Sequence, residues 1–183
     1  MQCSACELYY VLKKINGYEE GIYLQIKSLI RYKFKSNEEL KDAVDLYTNK
    51  DTFEEAYKKY FHISLWDTSL ITDMSYLLED KEEFNENLND WDVSNVENMD
   101  RMFCSCSNFN QTLNNWDVSN VKDMEAMFNS CYEFNQPIGN WDVSNVENMK
   151  AMLCNCHNFN QPIGNWDVSN VTDMENMFWN CTK

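Results

Sequence analysis

The stretch Trp141-Asp142-Val143-Ser144-Asn145-Val146 decides the fold, because the chain repeats it. The same six letters return at Trp91 to Val96, Trp116 to Val121 and Trp166 to Val171, and Trp66 heads a looser copy. The tryptophans therefore recur every 25 residues without drift. Behind each phrase stands Met-x-x-Met, as Met99/Met102, Met124/Met127, Met149/Met152 and Met174/Met177. A cysteine follows (Cys106, Cys131, Cys156, Cys181), then Phe109, Phe134 and Phe159, each beside an asparagine. A unit this short cannot bury its own apolar residues, so the copies must stack and share one core.

Within a copy, Val96, Met99, Met102, Phe103, Cys106 and Phe109 step by three, three, one, three and three. That spacing predicts a short helix, while the alternating Trp-Asp-Val stretch predicts a short strand. One strand and one helix per unit describe a right-handed, leucine-rich-repeat-like α/β solenoid. The expected units are residues 63–87, 88–112, 113–137, 138–162 and a partial 163–183. The first is degenerate, with Thr68 for Val, Leu70 for Asn, Leu77 for Met and Lys81 for Cys.

Residues 1–62 carry no repeat and read as an all-helical N-terminal cap. Leu8, Val11, Leu12 and Ile15 share one helical face, and Tyr18, Ile22, Ile26, Leu29 and Ile30 another. Ser36 with Glu39 forms a capping-box pattern before Leu40, Ala43, Val44 and Tyr47. Asp51 with Glu54 is expected to open a further helix carrying Phe53, Ala56, Tyr57 and Tyr60. At the other end the chain stops at Cys181-Thr182-Lys183, mid-unit. This is expected to mark either a fragment of a longer array or an uncapped end through which copies associate.

Residues 63–183 resemble the BspA-like leucine-rich repeat family, in its 25-residue mycoplasma lipoprotein-type repeat. Residues 134–156 follow its F-N-Q-P-I-G-N-W-D-V-S-N-V-x-x-M-x-x-M-F-x-x-C pattern, with Leu153 where Phe is usual. Residues 36–62 are similar to the helical lead-in of members from large DNA viruses. The resemblance implies a solenoid that works in protein interaction or surface adhesion, without catalysis.

Charge narrows the function further. The 183 residues carry a net charge of −15. Residues 1–62 are balanced, whereas 63–183 hold five Lys or Arg against twenty Asp or Glu. An acidic surface argues against binding of a phosphate backbone, which depends on Lys and Arg, and four glycines leave little material for a nucleotide loop. No apolar run approaches the ~18 residues of a membrane span. The start, Met1 to Cys6, lacks a basic stretch followed by an apolar one, so no signal peptide is read. The expected setting is intracellular, either cytoplasm or, for a viral protein, host cytoplasm or virion; surface adhesion is the less favoured alternative.

The repeated residues invite chemistry. The cysteine ladder reads chiefly as buried apolar thiols, with disulfides between neighbouring copies as an alternative. Cys154, Cys156 and His157 form the best metal candidate, and Cys3 with Cys6 is a lone C-x-x-C. The ladder Asp67, Asp92, Asp117, Asp142 and Asp167 reads as turn caps, with a weak calcium site as the alternative. Asn95, Asn120, Asn145 and Asn170 are expected to bond neighbouring turns. No cofactor is expected. His62 and His157, the only histidines, have no Ser or Cys that the pattern singles out as a nucleophile.

Specificity must come from columns that vary between copies. One runs Glu79, Cys104, Asn129, Cys154 and Trp179, and the other Glu82, Ser107, Tyr132, His157 and Thr182. Tyr132, His157, Trp179 and Glu82 are the candidate partner-binding residues, with aromatic anchors set among carboxylates that favour a basic protein.

Overall fold

The computed structural model describes residues 31–183. The two helical faces expected before Arg31, and Cys3 with Cys6, lie outside them. The helices among the described residues are α1 (Asn37–Thr48), α2 (Phe53–Tyr60) and a single 3-10 turn, Ile63–Leu65.

Helix α1 starts where Ser36 Oγ accepts from Glu39 N (3.1 Å). The returning carboxylate of Glu39 takes Lys35 N (2.8 Å) and the Tyr32 hydroxyl (2.6 Å). That bond, with burial adding to it, raises the Tyr32 phenol to about 12. The same bond and the Lys35 amide hold Glu39 below the usual carboxylate range against the opposing effect of burial. Leu40, Ala43, Val44 and Tyr47 form the buried face of α1. Helix α2 does not open at Asp51: its N-cap is Thr52, and Asn49 Oδ1 instead accepts from Asp51 N (2.9 Å). It ends at Phe61, whose φ of 62° reverses the chain.

The lead-in seals the first repeat with more than helices. Lys33 and Asp67 form a parallel bridge, Phe34 N donating to Asp67 O and Asp67 N to Tyr32 O. Phe34 and Tyr47 then pack on Trp66, with ring centroids 4.9 and 5.6 Å away.

The strand-plus-helix reading of the repeat is wrong. No β-strand forms among the described residues, and neither helix belongs to a repeat. Each copy is a chain of tight turns. In the second copy the amides of Met99, Arg101, Phe103 and Ser105 donate to carbonyls of Asp123, Glu125, Met127 and Asn129 in the next, at 2.8–2.9 Å. The alternate amides of Met102, Cys104 and Cys106 turn back to Met99, Arg101 and Phe103, three residues earlier. The same division holds in the other copies that have a successor.

The backbone supplies the reason. Tyr76, Arg101, Ala126, Ala151 and Asn176 have positive φ, as do Asp80, Ser105, Ser130, Asn155 and Asn180, all between 48° and 62°. A left-handed residue every fourth position cannot continue a right-handed helix, and each costs ~1–2 kcal/mol outside glycine or asparagine. The cost is offset because these residues aim their amides at the next coil. Likewise Trp91 and Val96 close local turns to Leu88 and Val93 instead of pairing along a strand. Pairing of the β type reduces to one isolated parallel bridge between successive coils, Asp73↔Asn98↔Asp123↔Asn148↔Asp173.

Stacking in register aligns like side chains. Phe103 lies on Phe128 (5.4 Å, 5°), Phe109 on Phe134 (6.1 Å, 10°) and Trp116 on Trp141 (6.4 Å, 7°). Of the Met-x-x-Met residues, all are buried except Met174 in the last coil, where Val168, Phe178 and Trp179 are also exposed.

Gly139 shows how close the coils come. A Cβ there would sit 2.1 Å from the Pro162 carbonyl oxygen, whereas one at Gly164 would meet nothing within 4 Å. Gly139→Ala should therefore destabilise by about 1–3 kcal/mol through overpacking, and Gly164→Ala should stay within about 0.5 kcal/mol. Urea titrations of the two variants check this; equal losses would mean the 139–162 contact is looser than described.

Candidate functional site

The fixed polar columns are consumed in holding the stack. Asp67, Asp92, Asp117, Asp142 and Asp167 each accept from the amide two residues on, at 3.0–3.1 Å. The hydroxyls of Ser94, Ser119 and Ser144 add bonds of 2.6 Å. Donation from Ser144 and from Ser169 holds Asp142 and Asp167 below the usual range. At Asp67 burial opposes ionisation, but Ser69, Lys33 and Arg31 outweigh it and the net shift is downward. Asn95, Asn120, Asn145 and Asn170 donate to the carbonyls of Ser69, Ser94, Ser119 and Ser144 at 2.7–2.9 Å.

Two further ladders went unread in the sequence. Asp73, Asn98, Asp123, Asn148 and Asp173, at the bridge positions, each accept from the amide two residues on (2.8–3.0 Å). Asn85, Asn110 and Asn135 accept from the amide 25 residues on, and Gln111, Gln136 and Gln161 donate to the same oxygens. Their signal was visible as an Asp-or-Asn column directly before the first Met and as the Asn-Gln pair after Phe.

The tryptophan Nε1 atoms also reach back one coil. Trp91, Trp116, Trp141 and Trp166 donate to the carbonyls of Ile63, Leu88, Leu113 and Ile138 at 2.9–3.4 Å. The thiols do likewise: Cys106, Cys131, Cys156 and Cys181 donate to Leu78, Phe103, Phe128 and Leu153 at 3.0–3.1 Å. Burial pushes the Cys106 thiol up to about 12 and moves Cys131 and Cys156 the same way.

The cysteine–histidine candidate is not assembled. Cys156 points into the core, Cys154 is buried, and His157 faces the edge. Among the described residues no three His, Cys, Asp or Glu side chains come together as a metal site, which leaves the Asp ladder without a converging carboxylate set.

Two partner-binding candidates do meet. The Tyr132 ring, 42% exposed, stacks on the His157 ring at 4.9 Å and 6°. His157 Nε2 lies 3.2 Å from Asn180 Nδ2, so the pair continues into the next coil. Asn180 also reaches Asn155 Oδ1 (2.9 Å). Trp179 is 61% exposed beside Asn180, on a coil that no other covers among the described residues. Glu82 opens the same column as Tyr132, two coils nearer the lead-in.

A family model described as "Mycoplasma protein of unknown function, DUF285" matches residues 48–153 and 113–183. The chain belongs to this family. The matched segments run from the end of α1 through the last coil, so family membership rests on the repeats. Comparison with curated proteins and with solved structures gives no match. Among the described residues, no helix is long and apolar enough to cross a membrane.

Proposed function

We propose that this DUF285 family member is a non-catalytic protein-interaction module that docks a basic protein along the edge bearing Tyr132 and His157. The observation that carries the reading is that stacked pair. It is aromatic, with Tyr132 exposed and His157 half-buried, and it lies in a column whose other members are Glu82, Ser107 and Thr182. The repeat-invariant polar side chains are spent on turn-closing bonds within a coil and on bonds between coils, so the varying columns are the surface left for recognition. Exposed aromatic residues suit the centre of an interface, and the surplus of carboxylates in 63–183 accelerates encounter with a cationic partner. The likeness to BspA-like repeats supports the same class of role.

The test is a pull-down from host lysate at low and high salt, comparing the natural chain with Tyr132→Ala/His157→Ala. A salt-sensitive basic protein should be captured by the natural chain, and the double variant should lose about 30-fold in affinity, the effect of a hot spot worth ~2 kcal/mol. Equal capture by both proteins would place recognition elsewhere.

A further inference from the structure

The first coil departs from the repeat where it meets the lead-in: Lys81 replaces the ladder cysteine, and Glu82-Glu83-Phe84 follow. A cavity of about 460 Å³ lies there, between the α1–α2 connection and residues 80–86, within the range of small-ligand sites. Its apolar wall is aromatic, formed by Tyr47, Phe53 and Phe84, with the Tyr47 and Phe53 rings 5.0 Å apart at 66°. Its polar wall is anionic, with Asp80, Glu82, Glu83 and Glu86.

The cations on the wall do not neutralise it. Lys81 Nζ is committed to Asp45, 3.0 Å away, and Lys50 is the other. Glu86 faces His62 Nε2 at 3.5 Å. Glu82 and Glu83 are exposed, and among the described residues their carboxylates make no hydrogen bond or ion pair. Flat aromatic rings beside uncommitted carboxylates match a guanidinium, which stacks on its faces and donates at its edge. A point-charge ammonium uses only half of that wall.

We propose that this cavity receives an arginine side chain of the basic partner. The inference rests on the proposed docking role and extends it. Glu82 heads the column that continues to Tyr132 and His157, so one extended segment lying along that edge reaches both features.

The test uses the full chain, isotope-labelled, titrated with N-acetyl-arginine amide and followed by amide chemical shifts. Shifts should concentrate at Thr48, Lys50 and Glu82 to Asn85, and Glu82→Gln/Glu83→Gln should weaken the interaction at least fivefold. Glu97→Gln/Glu147→Gln, which removes the same charge from other coils, should change it less than twofold, and N-acetyl-lysine amide should bind more weakly than the arginine probe. Equal losses in the two double variants, or shifts spread over all carboxylates, would overturn the site and leave diffuse attraction alone. Equal binding of the lysine probe would overturn guanidinium recognition. Probe binding confined to the cavity with no partner captured in the pull-down counts against the docking role and not the cavity. Capture lost with Tyr132→Ala/His157→Ala while the probe fails to bind counts against the cavity alone.

Discussion

Replacing Trp116 by alanine should cost about 3–5 kcal/mol, the range for truncating a buried tryptophan. Its ring stacks on Trp141 at 6.4 Å and packs on Phe103 at 6.1 Å, with 4% of its surface exposed. Truncation also removes the Nε1 donor to Leu88 O (2.9 Å), a carbonyl that keeps the Trp91 amide at 3.0 Å, so the cost is chiefly lost packing. In a stack where each coil touches only its neighbours, no distant contact makes good the loss. Trp166→Ala, at a half-buried ring in the last coil, should cost less than half as much. Chemical denaturation of both variants by tryptophan fluorescence checks the ranking; equal costs would mean the tryptophan ladder is not a packed column.

Alkaline pH should weaken the fold steeply, because four thiols, Cys106, Cys131, Cys154 and Cys156, are buried in it. Burial penalises the thiolate, so the folded pKa of Cys106 stands at about 12, and Cys131 and Cys156 are shifted the same way. In the unfolded chain these thiols ionise near ~8.5. Above that pH the unfolded state releases protons that the folded state keeps, so the stabilisation present below it is lost as pH rises toward the folded values. Each thiol should remove about 1.4 kcal/mol per pH unit. Tyr32, also raised to about 12, joins only above its ordinary value of ~10. Urea midpoints between pH 7.5 and 10, under reducing conditions, should fall accordingly, and Cys131→Ala should make the slope shallower, because one of the burial-shifted thiols is then gone. A pH-independent midpoint would mean that solvent reaches the thiols.

Much of the architecture was legible in the spacing alone. Stacking in register, the buried Trp, Met, Phe and Cys columns and the aspartate turns all follow from a unit too short to fold by itself. The local structure was not legible, and the reason lies at Arg101 and Ser105. A turn chain with a left-handed residue every fourth position puts Met99, Met102, Cys106 and Phe109 on one side, as a helix would. Nothing in arginine, alanine or tyrosine at those positions announces a positive φ. The signal lies in the copies, which place Asn176, Asn155 and Asn180 in the same columns, since asparagine tolerates that conformation. The cavity was hidden for another reason: it arises from packing between the α1–α2 connection and a coil about thirty residues away, and sequence spacing does not carry that distance.

The central structural claim is that alternate amides of each coil bind the next coil while the others close local turns. Through-hydrogen-bond NMR couplings report donor and acceptor directly. Phe103 N should couple to the Met127 carbonyl and Cys104 N to the Arg101 carbonyl, with the same pairing at Phe128/Met152 and Asn129/Ala126. Coupling of Phe103 N to the Met99 carbonyl, four residues back, would show a helix in each repeat and contradict the account.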